Sequence, residues 1–233
     1  DWSSDVCSSD LYLESSVKNG LKIWNFDKIP YEIIGNKSKP VLGDIDIAVP
    51  VNQIEKLIGK GYDEDKKRFY ELLDSYIKSN RPSGIPEPSY KVVSGLDQIH
   101  LNVPIVDENG SPVKSTTETN KDGYVQIDLM IGDINFMTKA LSSAPDSKYK
   151  AALRNILLMN IMSHSYEDTD NPNIKKRYQF NWKKGLQSVD VVTNEKGKQE
   201  KQNIKTVYTD MDDVARFLFG NNVTFNDINN LEK

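Results

Sequence analysis

The chain has 233 residues, with 30 basic and 34 acidic side chains, a formal net charge of −4, one cysteine and two histidines. A single cysteine excludes an internal disulfide and a cysteine-rich zinc site, and His100 with His164 poorly supply a histidine metal centre or a Ser-His-Asp triad, so chemistry must rest on carboxylates, lysines, arginines and hydroxyls. No run of ~18 apolar residues offers a membrane span and no charged-then-apolar leader is visible, which gives the expectation of a soluble, cytoplasmic protein.

Residues 1–11 have no hydrophobic period and, back-translated, resemble one frame of a common sequencing-adapter oligonucleotide. They are expected to be an assembly scar, with a disordered native terminus as the alternative. Setting them aside removes Asp1, Asp5, Asp10 and Cys7 and leaves 31 acidic against 30 basic residues. Over 12–25, Leu13, Val17, Leu21 and Trp24 recur at helical spacing and Pro30 closes the segment. Residues 31–34 are a short strand candidate and 35–40 have the composition of a loop. Residues 44–49 are β-rich and end at Pro50. Helices are expected at 51–58 and 63–79, the second with Phe69, Leu72, Leu73 and Tyr76 in one stripe.

Residues 80–89 read as a surface loop, and strands follow at 90–93 and 98–106. The hydrophilic stretch 107–122 reads as a hairpin tip or a loop, 124–131 as a strand. Helices are expected at 134–141 and 148–164, the latter with Ala152, Ile156, Met159 and Ile161 as buried candidates. After about Ser165 the composition turns to Asn, Asp and Lys, which marks a candidate boundary between a domain at 12–165 and a small unit at 166–233. That tail offers strands at 177–182, 188–193 and 204–208, a polar turn at 194–199, and helices at 211–219 and 225–231, the last N-capped by Thr224. The expected class is α/β of the α+β kind: a mixed sheet flanked by helices, with a C-terminal accessory unit.

Strands disfavour Asp, whose short charged side chain neither packs on a half-buried pleat nor tolerates desolvation. Two predicted strands nevertheless carry it centrally. In Asp44-Ile45-Asp46-Ile47 the period of two puts both carboxylates on one face and both isoleucines on the other. In the strand at 124–131, Val125, Ile127, Leu129 and Ile131 point inward and Asp128 shares the polar face with Gln126. Three carboxylates crowded on one sheet face repel each other, and a divalent cation relieves this. Hard oxygen ligands from one or two strands hold Mg²⁺ beside substrate phosphates, so the arrangement predicts phosphoryl or nucleotidyl transfer.

This pattern resembles the DNA-polymerase-β-like nucleotidyltransferase superfamily, marked by a small-residue turn, an Asp-hydrophobic-Asp/Glu strand and a third acid on a later strand. The match runs through Ile34-Gly35-Asn36, Asp44-Ile45-Asp46-Ile47 and Asp128, within residues 12–165. The resemblance implies a nucleotidyltransferase core with two Mg²⁺ or Mn²⁺ ions on Asp44, Asp46 and Asp128. It also implies an NTP as substrate and a phosphate-gripping turn in which Gly35 lets the backbone approach while Asn36 or Ser38 donates a hydrogen bond. The acceptor is left open among an RNA end, a small molecule and a protein. Asn36 stands where Gly or Ser is usual, and the interval to Asp44 is short for the family. These departures support one alternative, a catalytically inactive binding or regulatory module; a metal-dependent nuclease is another.

Lys150 and Arg154, four apart on a predicted helix, share a face that either meets the triphosphate or is simply solvated. His100 reads as a hydrogen-bonded strand histidine and His164 as a helix-terminal one. The Asp44 stretch lacks the Gly and the closing Glu of a calcium loop. Residues 175–205 hold nine basic residues against Asp190, Glu195 and Glu200, with Tyr178, Phe180 and Trp182 alternating along one strand face. This either tracks a single-stranded nucleic acid or is a hairpin whose aromatic face packs inward under solubilising lysines, the latter being preferred.

Overall fold

The computed structural model describes residues 10–34, 44–81, 83, 90–116, 119–144, 151–163, 166–168 and 171–229. The chain divides into two compact units, Asp1–Ile134 and Asn135–Lys233.

In the first unit, helix α1 (Asp10–Ile23) buries the predicted stripe of Leu13, Val17 and Leu21. It begins inside the segment set aside as 1–11, since a nucleated helix extends over any preceding residue that is not a breaker. A five-stranded sheet follows, made of β1 (Glu32–Ile33), β2 (Asp44–Pro50), β3 (Tyr90–Val93), β4 (Gln98–Pro104) and β5 (Tyr124–Gly132), in the order β1-β2-β5-β4-β3. Only β2 and β5 pair in parallel; the other neighbours are antiparallel, so the sheet is mixed and the unit is of the α+β class. The helices α2 (Val51–Ile58) and α3 (Lys66–Ser79) join α1 over one face. Asp65 caps α3 by accepting from the Arg68 N–H at 3.0 Å.

The alternation written into the strands decides which face is covered. Ile45 and Ile47 of β2, Ile99, Leu101 and Val103 of β4, and Val125, Ile127, Leu129 and Ile131 of β5 are buried in one cluster with Leu21, Ile54, Phe69 and Leu73. Each such side chain contributes about 1.5–3 kcal/mol by leaving water. Gly20 shows how close the layers come: a methyl group there would lie 2.7 Å from Val103 Cγ1 and 2.9 Å from Ile127 Cδ1. The opposite face keeps the polar set, Asp44, Asp46, His100, Asn102, Gln126 and Asp128. Beyond β4, residues 105–123 form a pinned excursion rather than a plain loop, with bridges Val106↔Pro112 and Lys114↔Asp122.

Asp97, at the turn between β3 and β4, ties α3 to the sheet. Its Oδ1 accepts from Tyr62 Oη at 3.0 Å and Tyr70 Oη at 2.6 Å, with Lys66 Nζ at 3.1 Å. Burial first, and the Asp97 carboxylate second, push both phenols far above their ordinary range.

The second unit opens with α4 (Ile134–Leu141) and α5 (Ala151–Ser163), followed by an antiparallel sheet in the order β6-β7-β8-β9. These strands are β6 (Tyr166–Asp168), β7 (Ile174–Asn181), β8 (Gly185–Thr193) and β9 (Gln199–Tyr208), and α6 (Met211–Phe219) and α7 (Phe225–Ile228) close the chain. Gly185 turns β7 into β8 at φ 101°, where any Cβ would lie 2.0 Å from the Tyr208 carbonyl oxygen. Thr224 stands at the N-terminus of α7 as expected, its N–H and hydroxyl both donating to Asp227 Oδ2.

Two expectations change here. The division falls at 134/135 rather than near Ser165, because Phe136 and Ala140 of α4 and Leu158 and Met162 of α5 build one core with Tyr178, Phe180 and Leu186. The polar run after 165 includes strand β6 of this unit's own sheet. The buried side of α5 is also different: Ala151, Arg154, Asn155, Leu158 and Met162 face inward, while Ala152, Ile156 and Met159 are exposed. Arg154 and Asn155 explain the choice. The last carbonyls of a helix have no partner within it. Asn155 Nδ2 donates to the Ala140 oxygen at 2.9 Å, and the Arg154 guanidinium donates to the Ala140 and Ser142 oxygens and to Asn229 Oδ1. Arg154 is thus a cap for α4, and burial pulls its pKa down to about 10.

Candidate metal centre

Parallel pairing of β2 with β5 sets Asp46 directly beside Asp128 and Asp44 beside Gln126. Adjacent strands lie about 4.8 Å apart, and the two-residue period puts all four side chains on the face opposite the core cluster. One carboxylate oxygen from each of Asp44, Asp46 and Asp128 lies within 4.8 Å of the others. The three are graded in depth: Asp44 is exposed, Asp46 half-buried and Asp128 7% exposed.

Asp128 is the most constrained of the three. Gln126 Nε2 donates to its Oδ1 at 2.7 Å. On the other side of β5, His100 of β4 stands opposite Asp128 in the antiparallel register. His100 Nε2 lies 3.9 Å from Asp128 Oδ2 and is buried without any hydrogen-bond partner. The third carboxylate therefore has an acid on one flank and an imidazole on the other.

An all-oxygen donor set of this kind suits a hard cation. At an Mg–O distance of about 2.1 Å, octahedral ligand oxygens are separated by about 2.9 Å when adjacent and about 4.2 Å when opposite. The observed ceiling of 4.8 Å lies just beyond that, within the swing of one carboxylate.

The structure brings Asp44, Asp46 and Asp128 together as the sequence pattern requires. Gly35, Asn36, Ser38, Lys150 and His164 lie outside the described residues. Arg154 is a correction to the expected ligand set: it is 2% exposed inside the second unit, its terminal N–H groups donating to main-chain oxygens and to Asn229 Oδ1. The aromatic row packs inward, as the preferred reading has it. Tyr178 and Phe180 belong to the second unit's core, and Trp182 packs at its margin. His100 is the site residue that sequence reading set aside; its signal was a polar position on a strand that turns out to flank β5.

Among the described residues, then, the fold is a mixed α+β protein whose first sheet carries one three-carboxylate cluster able to hold a divalent cation, and no helix is long and apolar enough to cross a membrane. No protein-family model matches the chain, and no curated protein matches its sequence. Two solved structures of Leishmania infantum polymerase beta are similar to it, a ternary P/T complex with a TM-score of 0.33 and a ternary gap complex with 0.32. Each is 13% identical and covers 72% of this chain, against 57% and 51% of their own. The chain spans just over half the length of those proteins.

Proposed function

We propose that the first unit is the catalytic core of a metal-dependent nucleotidyltransferase that moves a nucleoside monophosphate from an NTP to a hydroxyl acceptor and releases pyrophosphate. The observation that carries this reading is the convergence of Asp44, Asp46 and Asp128 within 4.8 Å on one face of a single sheet. The sequence pattern that resembles the polymerase-β-like superfamily supports it independently of that geometry.

Asp44 and Asp46 would hold both Mg²⁺ ions and Asp128 would complete one site; bound there, the ions would supply neutralisation of the charge that develops on the phosphoryl oxygens. The acceptor oxygen attacks the α-phosphorus, its proton passes to Asp128, and the bond to pyrophosphate breaks with its electron pair on the leaving oxygen. Gln126 acts through Asp128, fixing the carboxylate as outer-shell donors do around metal ligands, and His100 flanks its other oxygen at 3.9 Å. By the resemblance, Gly35, Asn36 and Ser38 take the triphosphate. The acceptor is an RNA end, a small molecule or a protein side chain.

The test is a panel of labelled NTPs with Mg²⁺ or Mn²⁺ and RNA, small-molecule and protein acceptors. Incorporation with pyrophosphate release is expected in the wild type and its loss in Asp128→Asn. Nucleic-acid cleavage without NTP would instead make the cluster a nuclease centre. NTP binding without turnover on any acceptor would make the unit a binding module. Either result overturns the proposal.

A further inference from the structure

The polar side of the first sheet is sorted by charge from one edge to the other. β1, β2 and β5 place Glu32, Asp44, Asp46 and Asp128 on it, whereas β3 and β4 carry no carboxylate at all. Two rows of register cross the strands. One runs Asp46, Asp128, His100, Lys91 through β2, β5, β4 and β3; the other runs Asp44, Gln126, Asn102 through the first three of these. Side chains directly opposite one another share a face, so Lys91 and Asn102 stand on the side of the carboxylates. The character of the face changes at Asp128: acids lie toward β1, and an imidazole, an amide and an ammonium lie toward β3.

The β4–β3 half also differs in how its groups are engaged. Lys18, Lys60, Lys114 and Lys139 each have a carboxylate oxygen at 3.0 Å or less. Lys91 is exposed and Asn102 half-buried, and neither makes a side-chain hydrogen bond or an ion pair among the described residues. His100 lies between Asp128 and Lys91 and is sunk deeper, with its Nε2 buried and without a hydrogen-bond partner. It is the floor between a carboxylate and an ammonium. Exposure falls along the strands from Asn102 to the buried pair Gln98 and Met130, so access to this half is from the Asn102 and Lys91 side.

The next step rests on the nucleotidyltransferase reading. In it Asp44 and Asp46 serve the nucleotide and Asp128 receives the acceptor's proton, so the acceptor comes to Asp128 from the flank away from Asp46, over β4 and β3. There it meets an amide and an ammonium and no carboxylate, a set that attracts an anion and turns away a cation. The β5 and β3 backbones are about 10 Å apart, and the flexible four-carbon stem of Lys91 covers several ångströms of that distance. The anion therefore sits a short way from the attacking hydroxyl. We propose that the β4–β3 half of this face is the acceptor subsite and that the acceptor carries a phosphate beside its attacking hydroxyl. The phosphate pairs with Lys91, Asn102 hydrogen-bonds the part of the acceptor between phosphate and hydroxyl, and His100 is the surface on which that part rests. The transfer is unchanged: the acceptor oxygen bonds to the α-phosphorus, its proton goes to Asp128, and pyrophosphate leaves with the electron pair of the broken bond.

The test compares adenosine with adenosine monophosphate, which differ only in the phosphate, as acceptors for labelled NTPs with Mn²⁺ and the full chain, beside a short RNA and an aminoglycoside. The wild type is expected to use the monophosphate or the RNA, at a KM about tenfold below that for adenosine. Lys91→Gln should erase that difference by raising the acceptor KM, with kcat and the KM for NTP within about twofold of wild type. Lys91→Arg, which keeps the charge, should restore most of it. Lys67→Gln, which removes an exposed cation of α3 from the other side of the sheet, should change neither KM. Preference for the RNA assigns the phosphate to a polynucleotide end, and preference for the monophosphate to a phosphorylated small molecule; both support the subsite. Adenosine used as well as its monophosphate, an aminoglycoside preferred, Lys67→Gln matching Lys91→Gln, or Lys91→Gln raising the KM for NTP instead would each overturn it. Where no acceptor turns over, calorimetry of adenosine monophosphate with Mn²⁺ and a non-hydrolysable NTP analogue decides: Lys91→Gln must weaken binding about tenfold, and absent or equal binding overturns the proposal. Absence of metal-dependent NTP binding sinks the nucleotidyltransferase reading and this subsite with it, whereas transfer indifferent to the acceptor's phosphate sinks the subsite alone.

Discussion

The carboxylate cluster makes a prediction about stability that needs no substrate. Without metal, Asp46 has two acidic neighbours whose ligand oxygens lie within 4.8 Å of its own. At that distance a pair of unit charges repels by roughly 3.5 kcal/mol at an effective dielectric of 20 and by roughly 0.9 kcal/mol in bulk water. Asp46 is half-buried and Asp44 exposed, so the true cost lies between those limits. Asp46→Asn keeps the shape and removes the charge, and should stabilise the metal-free protein by about 1–3 kcal/mol. For a unit of this size that is roughly 3–10 °C in Tm. Magnesium should reverse the ranking: at 100 times its Kd it adds about 2.7 kcal/mol to the wild type, roughly 10 °C, and much less to the variant. Scanning calorimetry after chelation, then with Mg²⁺ or Mn²⁺, reads both effects. If metal-free Asp46→Asn melts below wild type, or saturating Mg²⁺ and Mn²⁺ leave the wild-type Tm where it was, the three acids are not a shared cation site.

Helix propensity alone says that Gly20→Ala should stabilise α1 by about 1 kcal/mol. The contacts at 2.7 and 2.9 Å say that it destabilises by about 1–3 kcal/mol, and urea melts decide the sign. Arg154→Ala should cost about 3–5 kcal/mol, because it strips the cap from α4 and leaves carbonyls buried, while any NTP binding by the folded fraction stays unchanged. Lys139 Nζ and Asp210 Oδ2 meet at 2.8 Å with both side chains near 43% exposed, so their pairing is worth about 0.5 kcal/mol. The hydrogen bond from Lys139 holds the Asp210 pKa below its ordinary value near 3.8, and the bond to Asp210 raises that of Lys139. Their contribution is therefore full at neutral pH, is lost as pH falls through the lowered Asp210 value, and is lost again as pH rises through the raised Lys139 value. Lys139→Met should erase only that plateau in Tm against pH.

The strands around the site were legible because two rules conflict in them. A residue that strands avoid sits at alternate positions among residues that strands prefer, and the period alone assigns Asp44, Asp46 and Asp128 to polar faces. The sequence could not say that the faces coincide. That follows from β2 lying next to β5, an order that depends on how residues 51–123 cross over the sheet. His100 was missed for the same reason. It stands opposite Asp128 only if the 19 residues between β4 and β5 count as a closed hairpin, and the polar stretch 107–122 gave no sign of its bridges. β9 was half missed because it is exposed on both faces and lacks any apolar period, its pairing with β8 being a main-chain matter.

Apolar pattern failed outright in α5, and the failure shows what governs the second unit. Leu153, Ile156, Leu157 and Met159 are between 46% and 52% exposed, while a guanidinium and an amide occupy the buried side. Apolar residues lie all round this helix, so hydrophobic burial gains about as much with one face inward as with another and the few polar groups decide. Arg154 and Asn155 point inward because the carbonyls at the end of α4 need donors, and each unmet buried carbonyl costs about as much as one exposed leucine loses. The match is incomplete, since Arg154 Nε and Asn155 Oδ1 stay buried without a partner; what the inward turn gains is the carbonyls it meets, not a fully paired network.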